Sequence, residues 1–191
     1  MPEPTPVFIV TSSRPRVGKT LIARALTEYF CAQRRPVAAF DVNPDEFKLI
    51  DHLPAYAAAS SLNDTRGEMA LFDQLVLEDQ VPKVVDLGHQ PFDRFFRGDA
   101  ADRLCHRSAR RAIAPMVLFI ADPDERARQG YATMVRSVVD RRHFSFVTYV
   151  LNSNDNTSEL YQWLGRVFIA FRELEARLLL GGIAPLLKRS A

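Results

Sequence analysis

The chain has 191 residues, of which 25 are basic and 23 are acidic, so its formal net charge is +2. Hydrophobic residues make up 47% and charged residues 25%, which is typical of a soluble globular protein and excludes an acidic solvating tail. The near balance of charge does not by itself imply a nucleic-acid partner. A chain of this length can bury a sizeable core without disulfides or a structural metal, so we expect one domain over residues 1–191.

The cysteines and the apolar runs predict the compartment. Cys31 and Cys105 are the two cysteines, and neither lies in a Cys-x-x-Cys or Cys/His pattern, so we expect no zinc site and reducing surroundings. The first apolar run, residues 7–10, is shorter than a signal-peptide core. No run approaches the roughly 20 apolar residues of a membrane-spanning helix. The sequence therefore predicts a cytoplasmic protein with no transmembrane segment.

Short apolar runs alternate with helical patterns along the chain. After a loose leader at 1–5, the first half contains a strand at 6–11, a helix at 19–33, a strand at 37–40 that stops at Asp41, a helical pattern at 62–79 and a strand at 81–87. The second half contains a polar, partly helical segment at 91–113, a strand at 115–121, a helix at 125–142, a strand at 144–151 and an amphipathic helix at 158–180.

This alternation predicts the fold class. Near-continuous apolar strands separated by helices are typical of a parallel sheet that is covered on both faces. We therefore expect an α/β three-layer sandwich, Rossmann-like, with a mainly parallel sheet of five or more strands. In such sheets ligands bind where strands end and helices begin.

The strongest functional motif follows the first predicted strand and opens the first predicted helix. Residues 13–20 read Ser-Arg-Pro-Arg-Val-Gly-Lys-Thr. A phosphate-binding loop needs inward backbone N–H groups, a helix N-terminus, a lysine for the phosphates and a hydroxyl for Mg²⁺. Gly18, Lys19 and Thr20 meet the last three needs, whereas Ser13 replaces the usual first glycine. The predicted nucleotide-binding residues here are Ser13, Pro15, Arg16, Val17, Gly18, Lys19, Thr20 and Leu21.

Two further strands end in an aspartate. Asp41 ends the strand at 37–40, and Asp86, followed two residues later by Gly88, ends the strand at 81–87. A carboxylate beside a phosphate loop can hold Mg²⁺ through its water shell, so Thr20, Asp41 and Asp86 are the candidate metal residues. Gly88 could let its backbone N–H approach a phosphate, because it has no Cβ. The alternative for each aspartate is a turn residue or a helix cap.

These motifs, in this order over residues 6–154, resemble those of the deviant-Walker P-loop ATPases of the ParA/MinD type. The family loop reads Lys-Gly-Gly-x-Gly-Lys-Ser/Thr, and Arg14 stands at its signature lysine. Asp41-Val42-Asn43-Pro44 aligns with the family's Asp-x-Asp-Pro motif, and Asp86 with its Walker B aspartate. Asn152 matches a position that usually contacts adenine. The resemblance implies a P-loop NTPase fold that binds ATP and Mg²⁺.

Two departures from the family pattern limit the expected chemistry. Asn43 replaces the acid that in the family positions the attacking water, and an amide cannot act as a general base. Arg14 keeps a positive charge and could clamp phosphate in cis or across a dimer, but it is not equivalent to lysine. With Arg14, Asp41 and Asn43 as the candidate catalytic residues, we expect a nucleotide switch with slow hydrolysis at most.

The resemblance also implies partners. A homodimer is expected, and a protein partner is possible. Arginines at 107, 110 and 111 and at 141 and 142 could bind non-specific DNA, but acidic neighbours favour a solvated helix face as their explanation. The helix at 158–180 could be a partner or dimer face or an interfacial membrane helix, but a core-facing helix that closes the sheet is the favoured interpretation. Two alternatives to the switch stay open: an ATP-dependent carboxylate-activating enzyme resembling dethiobiotin synthetase, and an interaction module on a degenerate P-loop fold.

Overall fold

A computed structural model describes residues 4–43, 48–121, 124–138 and the strand at 145–150. The strands are β1 (Thr5–Thr11), β2 (Ala38–Val42), β3 (Ala57–Ala59), β4 (Lys83–Leu87), β5 (Ile113–Ala121) and β6 (Ser145–Val150). The helices are α1 (Lys19–Ala32), α2 (Leu49–His52), α3 (Thr65–Leu75), α4 (Phe92–Arg97), α5 (Ala100–Ala109) and α6 (Glu125–Val138).

The strands form one sheet in the order β3-β2-β4-β1-β5-β6, and every strand pairing in the described part of the chain is parallel. Helices cover both faces of this sheet, which confirms the predicted three-layer, Rossmann-like α/β fold. The helices α1 and α2 pack on one face, and α3, α4, α5 and α6 pack on the other. Each face therefore has its own apolar cluster.

Strand β1 shows why the sequence folds this way. Its residues Val7 and Ile9 belong to the cluster under α3 to α6, whereas Phe8 and Val10 belong to the cluster under α1. Because successive side chains of a strand point to opposite faces, an uninterrupted apolar run is what a doubly covered central strand requires. These four side chains are at most 1% exposed.

Several boundaries differ from the expectations. Strand β1 begins at Thr5, inside the predicted leader, and the Thr5 hydroxyl accepts a hydrogen bond from the Gln80 N–H at 3.0 Å. Strand β2 does not stop at Asp41 but continues to Val42. The short strand β3 was not predicted, because its three alanines are weak strand formers and it is held only by pairing with β2 at the sheet edge.

The order of strands places the loop after β1 at a change of direction in the sheet. The chain leaves β1 for β2 on one side, returns to β4 beside β1, and then continues to β5 on the other side. Parallel α/β sheets bind ligands at the carboxyl ends of strands at such a point.

Of the sequence predictions, Asn152 and the helix at 158–180 lie outside the described residues. In the part of the chain that is described, no helix is long and apolar enough to cross a membrane.

Candidate functional site

The loop between β1 and α1 ends in a left-handed glycine that starts the helix. Gly18 has φ 87° and lies at the N-cap of α1, where its carbonyl accepts a hydrogen bond from the Ile22 N–H at 3.1 Å. An L-residue with a side chain disfavours this φ, so glycine is the suitable residue here. No side chain caps this end of α1, which leaves its first N–H groups to other acceptors.

Lys19 is the first residue of α1 and folds back over the loop. Its Nζ donates to the Arg14 carbonyl at 2.7 Å, and the residue is only 3% exposed. A buried ammonium is costly unless it is held by acceptors or by an anion. The Lys19 ammonium therefore lies against the loop backbone. An anionic ligand bound in the loop could accept a hydrogen bond from the same ammonium group.

Thr20 connects the same turn of α1 to the end of β4. Its hydroxyl donates to Oδ2 of Asp86 at 2.7 Å. Asp86 is fully buried and pairs in register with Val10 of β1 on one side and with Asp41 of β2 on the other. Three neighbouring strands and α1 therefore place the loop hydroxyl and two carboxyl groups at one end of the sheet.

Burial, together with the nearby Asp41 carboxylate, raises the pKa of Asp86 to about 6 from its ordinary value of 3.8. The Thr20 hydrogen bond, a polar contact with Asn43 and the charge of Lys19 act in the opposite direction. Oδ1 of Asp86 is buried and has no hydrogen-bond partner among the described residues. A buried, unsatisfied carboxylate oxygen beside a hydroxyl has the donor chemistry that a hydrated Mg²⁺ prefers.

Asp41 differs from Asp86 because its carboxylate already has partners. Its Oδ1 accepts from the backbone N–H of Asn43 at 3.1 Å and from Asn43 Nδ2 at 3.2 Å, and its Oδ2 accepts from the Ile50 N–H at 3.1 Å. These bonds connect the end of β2 to Asn43 and to Ile50 of α2. The two carboxylates that the sequence offered as metal residues are thus unequal, and Asp86 has the free oxygen.

Asn43 connects the carboxyl ends of β2 and β4. Its Nδ2 donates to the Asp86 carbonyl at 3.1 Å, and its buried Oδ1 has no hydrogen-bond partner within the described part of the chain. Gly88 lies directly against it, since a Cβ at residue 88 would be closer than 3.0 Å to that oxygen. The Gly88 N–H donates to the Val42 carbonyl at 3.3 Å. The side chain of Asn43, a candidate catalytic group, therefore also holds β2 and β4 together at this end of the sheet.

The beginning of the loop rests on α6. The Ser13 hydroxyl donates to the Arg126 carbonyl at 2.9 Å, and Nη1 of Arg14 lies 3.6 Å from Oδ2 of Asp124. Gly130 of α6 lies against Ser13, since a Cβ at residue 130 would be closer than 3.0 Å to the Ser13 side chain. Sequence reasoning missed Asp124 and Gly130 as neighbours of the loop. A glycine inside a helical pattern was the available signal, because such a residue often has a packing reason.

The middle of the loop faces outward. Pro15 and Arg16 are exposed, and Arg16 has φ 57°, a left-handed conformation that is unfavourable for a residue with a side chain. Val17 packs against the apolar cluster under α1, and Leu21 is 45% exposed. The structure therefore brings Lys19, Thr20 and Asp86 together and leaves Pro15, Arg16 and Leu21 at the rim.

The predicted basic footprint is largely engaged within the chain. Nη1 of Arg107 lies 2.7 Å from Oδ1 of Asp73 on α3, and Nη1 of Arg111 donates to the Val76 carbonyl at 2.9 Å. These contacts attach α5 and the turn after it to α3, which favours the structural reading of the arginines. Residues 141 and 142 lie outside the described residues.

No cluster of three or more His, Cys, Asp or Glu side chains in the described ranges is placed to hold a metal ion. A divalent cation at this site would therefore need ligands beyond the protein, such as water or phosphate oxygens.

No protein-family model matches the sequence, and no curated protein matches it either.

Proposed function

We propose that the chain is a P-loop nucleotide switch of the ParA/MinD type that binds ATP with Mg²⁺ at the loop after β1. The observation that carries the proposal is the convergence of Lys19, Thr20 and Asp86 at the carboxyl end of the sheet, with Thr20 and Asp86 joined by a 2.7 Å hydrogen bond. The motif order in the sequence and the position of the loop in the sheet support the same site.

In this proposal Lys19 binds the terminal phosphates. Its Nζ is held over the loop by the Arg14 carbonyl, so it needs little rearrangement to reach an anion inside the loop. The uncapped N-terminus of α1 supplies N–H groups and the positive end of the helix dipole to the same anion. Charge-assisted hydrogen bonds of this kind are the strong ones, so we expect most of the affinity to come from the phosphates.

Thr20 and Asp86 would hold the Mg²⁺ ion. The orphaned Oδ1 of Asp86 fits this role, whereas Asp41 is already bonded to three N–H donors. When bound, Mg²⁺ neutralises charge on the phosphate oxygens. A cation beside Asp86 favours its ionised form, so binding reverses the effect of burial on this carboxyl.

Slow hydrolysis follows from the residues that would activate water. Asn43 is an amide, which cannot accept a proton in a catalytic step, and its Nδ2 is occupied by Asp41 and the Asp86 carbonyl. The Asp41 carboxylate is occupied by N–H donors. We therefore infer that nucleotide state, and not rapid turnover, is the output of the site. A homodimer, with a protein or DNA cargo, is the partner set that the resemblance implies for a switch in the cytoplasm.

The proposal is tested by the effect of Mg·ATP on the unfolding temperature of the purified full chain. We expect ATP to raise this temperature in the wild type and in Arg110→Ala, and not in Lys19→Ala. Arg110 is an exposed arginine at the end of α5, and α5 leads into the amino end of β5, at the opposite end of the sheet from the site. Arg110→Ala therefore controls for the loss of one positive charge. An equal shift in Lys19→Ala, or no shift in the wild type, would contradict the proposal.

A further inference from the structure

The contact between the phosphate loop and α6 depends on a serine and a glycine that lie far apart in the sequence. Ser13 stands where phosphate loops usually carry their first glycine, and its hydroxyl donates to the Arg126 carbonyl at 2.9 Å. In a helix that carbonyl also accepts from the N–H four residues later, which belongs to Gly130. The Ser13 side chain therefore reaches the backbone of α6 beside Gly130.

Gly130 makes room for this side chain. A Cβ placed on Gly130 would be closer than 3.0 Å to both Cβ and Oγ of Ser13, while the next nearest atom, Cε1 of Phe92, would be 3.7 Å away. Contacts under 3.0 Å require the atoms to move. Gly130 is the sixth of 14 residues in α6, and its φ is not positive, so the backbone does not require glycine. Glycine weakens a helix interior relative to alanine, and the room it leaves for Ser13 is the packing reason for it here.

We propose that Ser13 and Gly130 are a matched pair that positions the phosphate loop against α6. In this chain the small residue that the loop lacks at position 13 is supplied by the helix across from it. The inference rests on the proposed nucleotide function, because its consequence is that affinity for triphosphate depends on the fit between Ser13 and α6. Ser13 and Gly130 act here as positioning residues.

The neighbouring contact supports this assignment. Arg14 lies 3.6 Å from Asp124, and the other oxygen of that carboxylate accepts from the Arg126 N–H at 2.7 Å and so caps α6. Two consecutive loop residues are thus attached to the first turns of one helix. The Arg14 carbonyl also accepts the hydrogen bond from Lys19 Nζ. A displacement of Ser13 therefore moves its neighbour Arg14 and with it the acceptor that positions the phosphate-binding lysine.

The test is a double-mutant cycle on the full chain, with the Kd for Mg·ATP measured well below the unfolding temperature. Gly130→Ala is expected to raise Kd about tenfold in the wild-type background and less than about twofold in the Ser13→Gly background. Ser13→Ala is the matched control, since it removes the hydroxyl but keeps the Cβ that the new methyl group would meet. Gly130→Ala should therefore remain harmful in the Ser13→Ala background.

Three outcomes would overturn the inference: equal ATP affinity in Gly130→Ala and wild type, the same loss in the Ser13→Gly background, or full rescue by Ser13→Ala. If Gly130→Ala does not fold, recovery of folding in Ser13→Gly/Gly130→Ala supports the pair, and failure to recover overturns it. If the wild type binds no ATP, the proposed function fails separately. Unfolding temperatures of the four cycle proteins then decide the pair, with rescue supporting it and additive losses overturning it.

Discussion

The hydroxyl of Thr20 and the carboxylate of Asp86 are joined by a 2.7 Å hydrogen bond, which links the first turn of α1 to the end of β4. Because β4 pairs directly with β1, this bond closes a ring of strand, loop, helix and strand around the buried Lys19. One oxygen of the carboxylate is used in the bond, and the other has no partner in the described part of the chain. Stability of the folded chain favours a neutral Asp86 side chain, whereas the proposed binding of Mg²⁺ favours its ionised form.

The first prediction concerns the stability of Asp86→Asn without metal or nucleotide. The folded pKa of about 6 lies above the ordinary 3.8, so at pH 7.5 the folded state carries an ionised carboxylate that burial disfavours. This difference corresponds to about 3 kcal/mol, and removing the charge should increase the free energy of unfolding by up to that amount. Urea unfolding in chelator at pH 7.5 measures this change in the free energy of unfolding.

Binding of Mg·ATP should weaken about tenfold or more in the same variant.

The pH dependence of this effect has a definite sign. Below pH 3.8 Asp86 is protonated in both the folded and the unfolded chain, and the wild type has no deficit relative to Asp86→Asn from this charge. Between pH 3.8 and about 6 the carboxyl of the unfolded chain is ionised while that of the folded chain stays protonated, so the wild type progressively loses stability relative to the variant as pH rises through this window. The difference should level off above this window. A difference that is constant from pH 4.5 to 7.5 would contradict this account of Asp86.

The second prediction concerns Asn43→Asp, which introduces the acid that the ParA/MinD-type motif carries at this position. The substitution removes two hydrogen bonds donated by Nδ2 and places a third carboxylate beside Asp41 and Asp86. We expect a loss of about 2–4 kcal/mol in the free energy of unfolding at pH 7.5. Asn43→Ala is the control, because it loses the same bonds without adding charge and should cost less.

The same variant tests the reason proposed above for slow hydrolysis. With Mg·ATP at saturation, phosphate release per folded molecule should rise in Asn43→Asp and not in Asn43→Ala, because only a carboxylate can accept a proton from water. Equal release in both variants would mean that Asn43 does not restrain hydrolysis.

The third prediction concerns the pair of Arg14 and Asp124. Their side chains are 31% and 38% exposed, so the pair contributes little to stability. Asp124→Asn removes one negative charge beside the loop and keeps an oxygen that can cap α6, so the electrostatic potential at the loop becomes more positive. We expect Mg·ATP affinity to rise about two- to fivefold at low salt, and the gain to vanish in 1 M salt because exposed charges are screened. Unchanged affinity at low salt would show that the charge of Asp124 does not act on the ligand at the loop.

The sequence was sufficient for the fold class because local patterns carried it. The apolar run of β1 and the spacing of Ile22, Leu26 and Phe30 on α1 are properties of contiguous residues, and the structure buries all of them. Strand β3 escaped prediction because three alanines carry no such pattern, and only pairing with β2 makes them a strand. Tertiary pairing outweighed propensity at this edge.

The site was predictable to the level of residue types but not of contacts. The motif predicted Lys19, Thr20 and a carboxylate at a strand end. From the sequence alone, Asp41 and Asp86 were equally suitable as that metal-binding carboxylate. Only the N–H groups of Asn43 and Ile50 that bind Asp41 distinguish it from Asp86, and the Ile50 contact comes from the fold of the next segment. The fit of Ser13 to Gly130 joins residues 117 positions apart, so no local pattern could contain it.

The central claim is that the loop after β1 recognises the phosphates of a magnesium nucleotide. Its most direct test is a calorimetric titration of the full chain with ATP, ADP and AMP in the presence of Mg²⁺. We predict that ATP binds most tightly and AMP most weakly, and that Lys19→Ala weakens ATP about tenfold to a hundredfold while hardly changing AMP. No binding of ATP to the wild type, or an affinity for ATP that Lys19→Ala leaves unchanged, would contradict the claim.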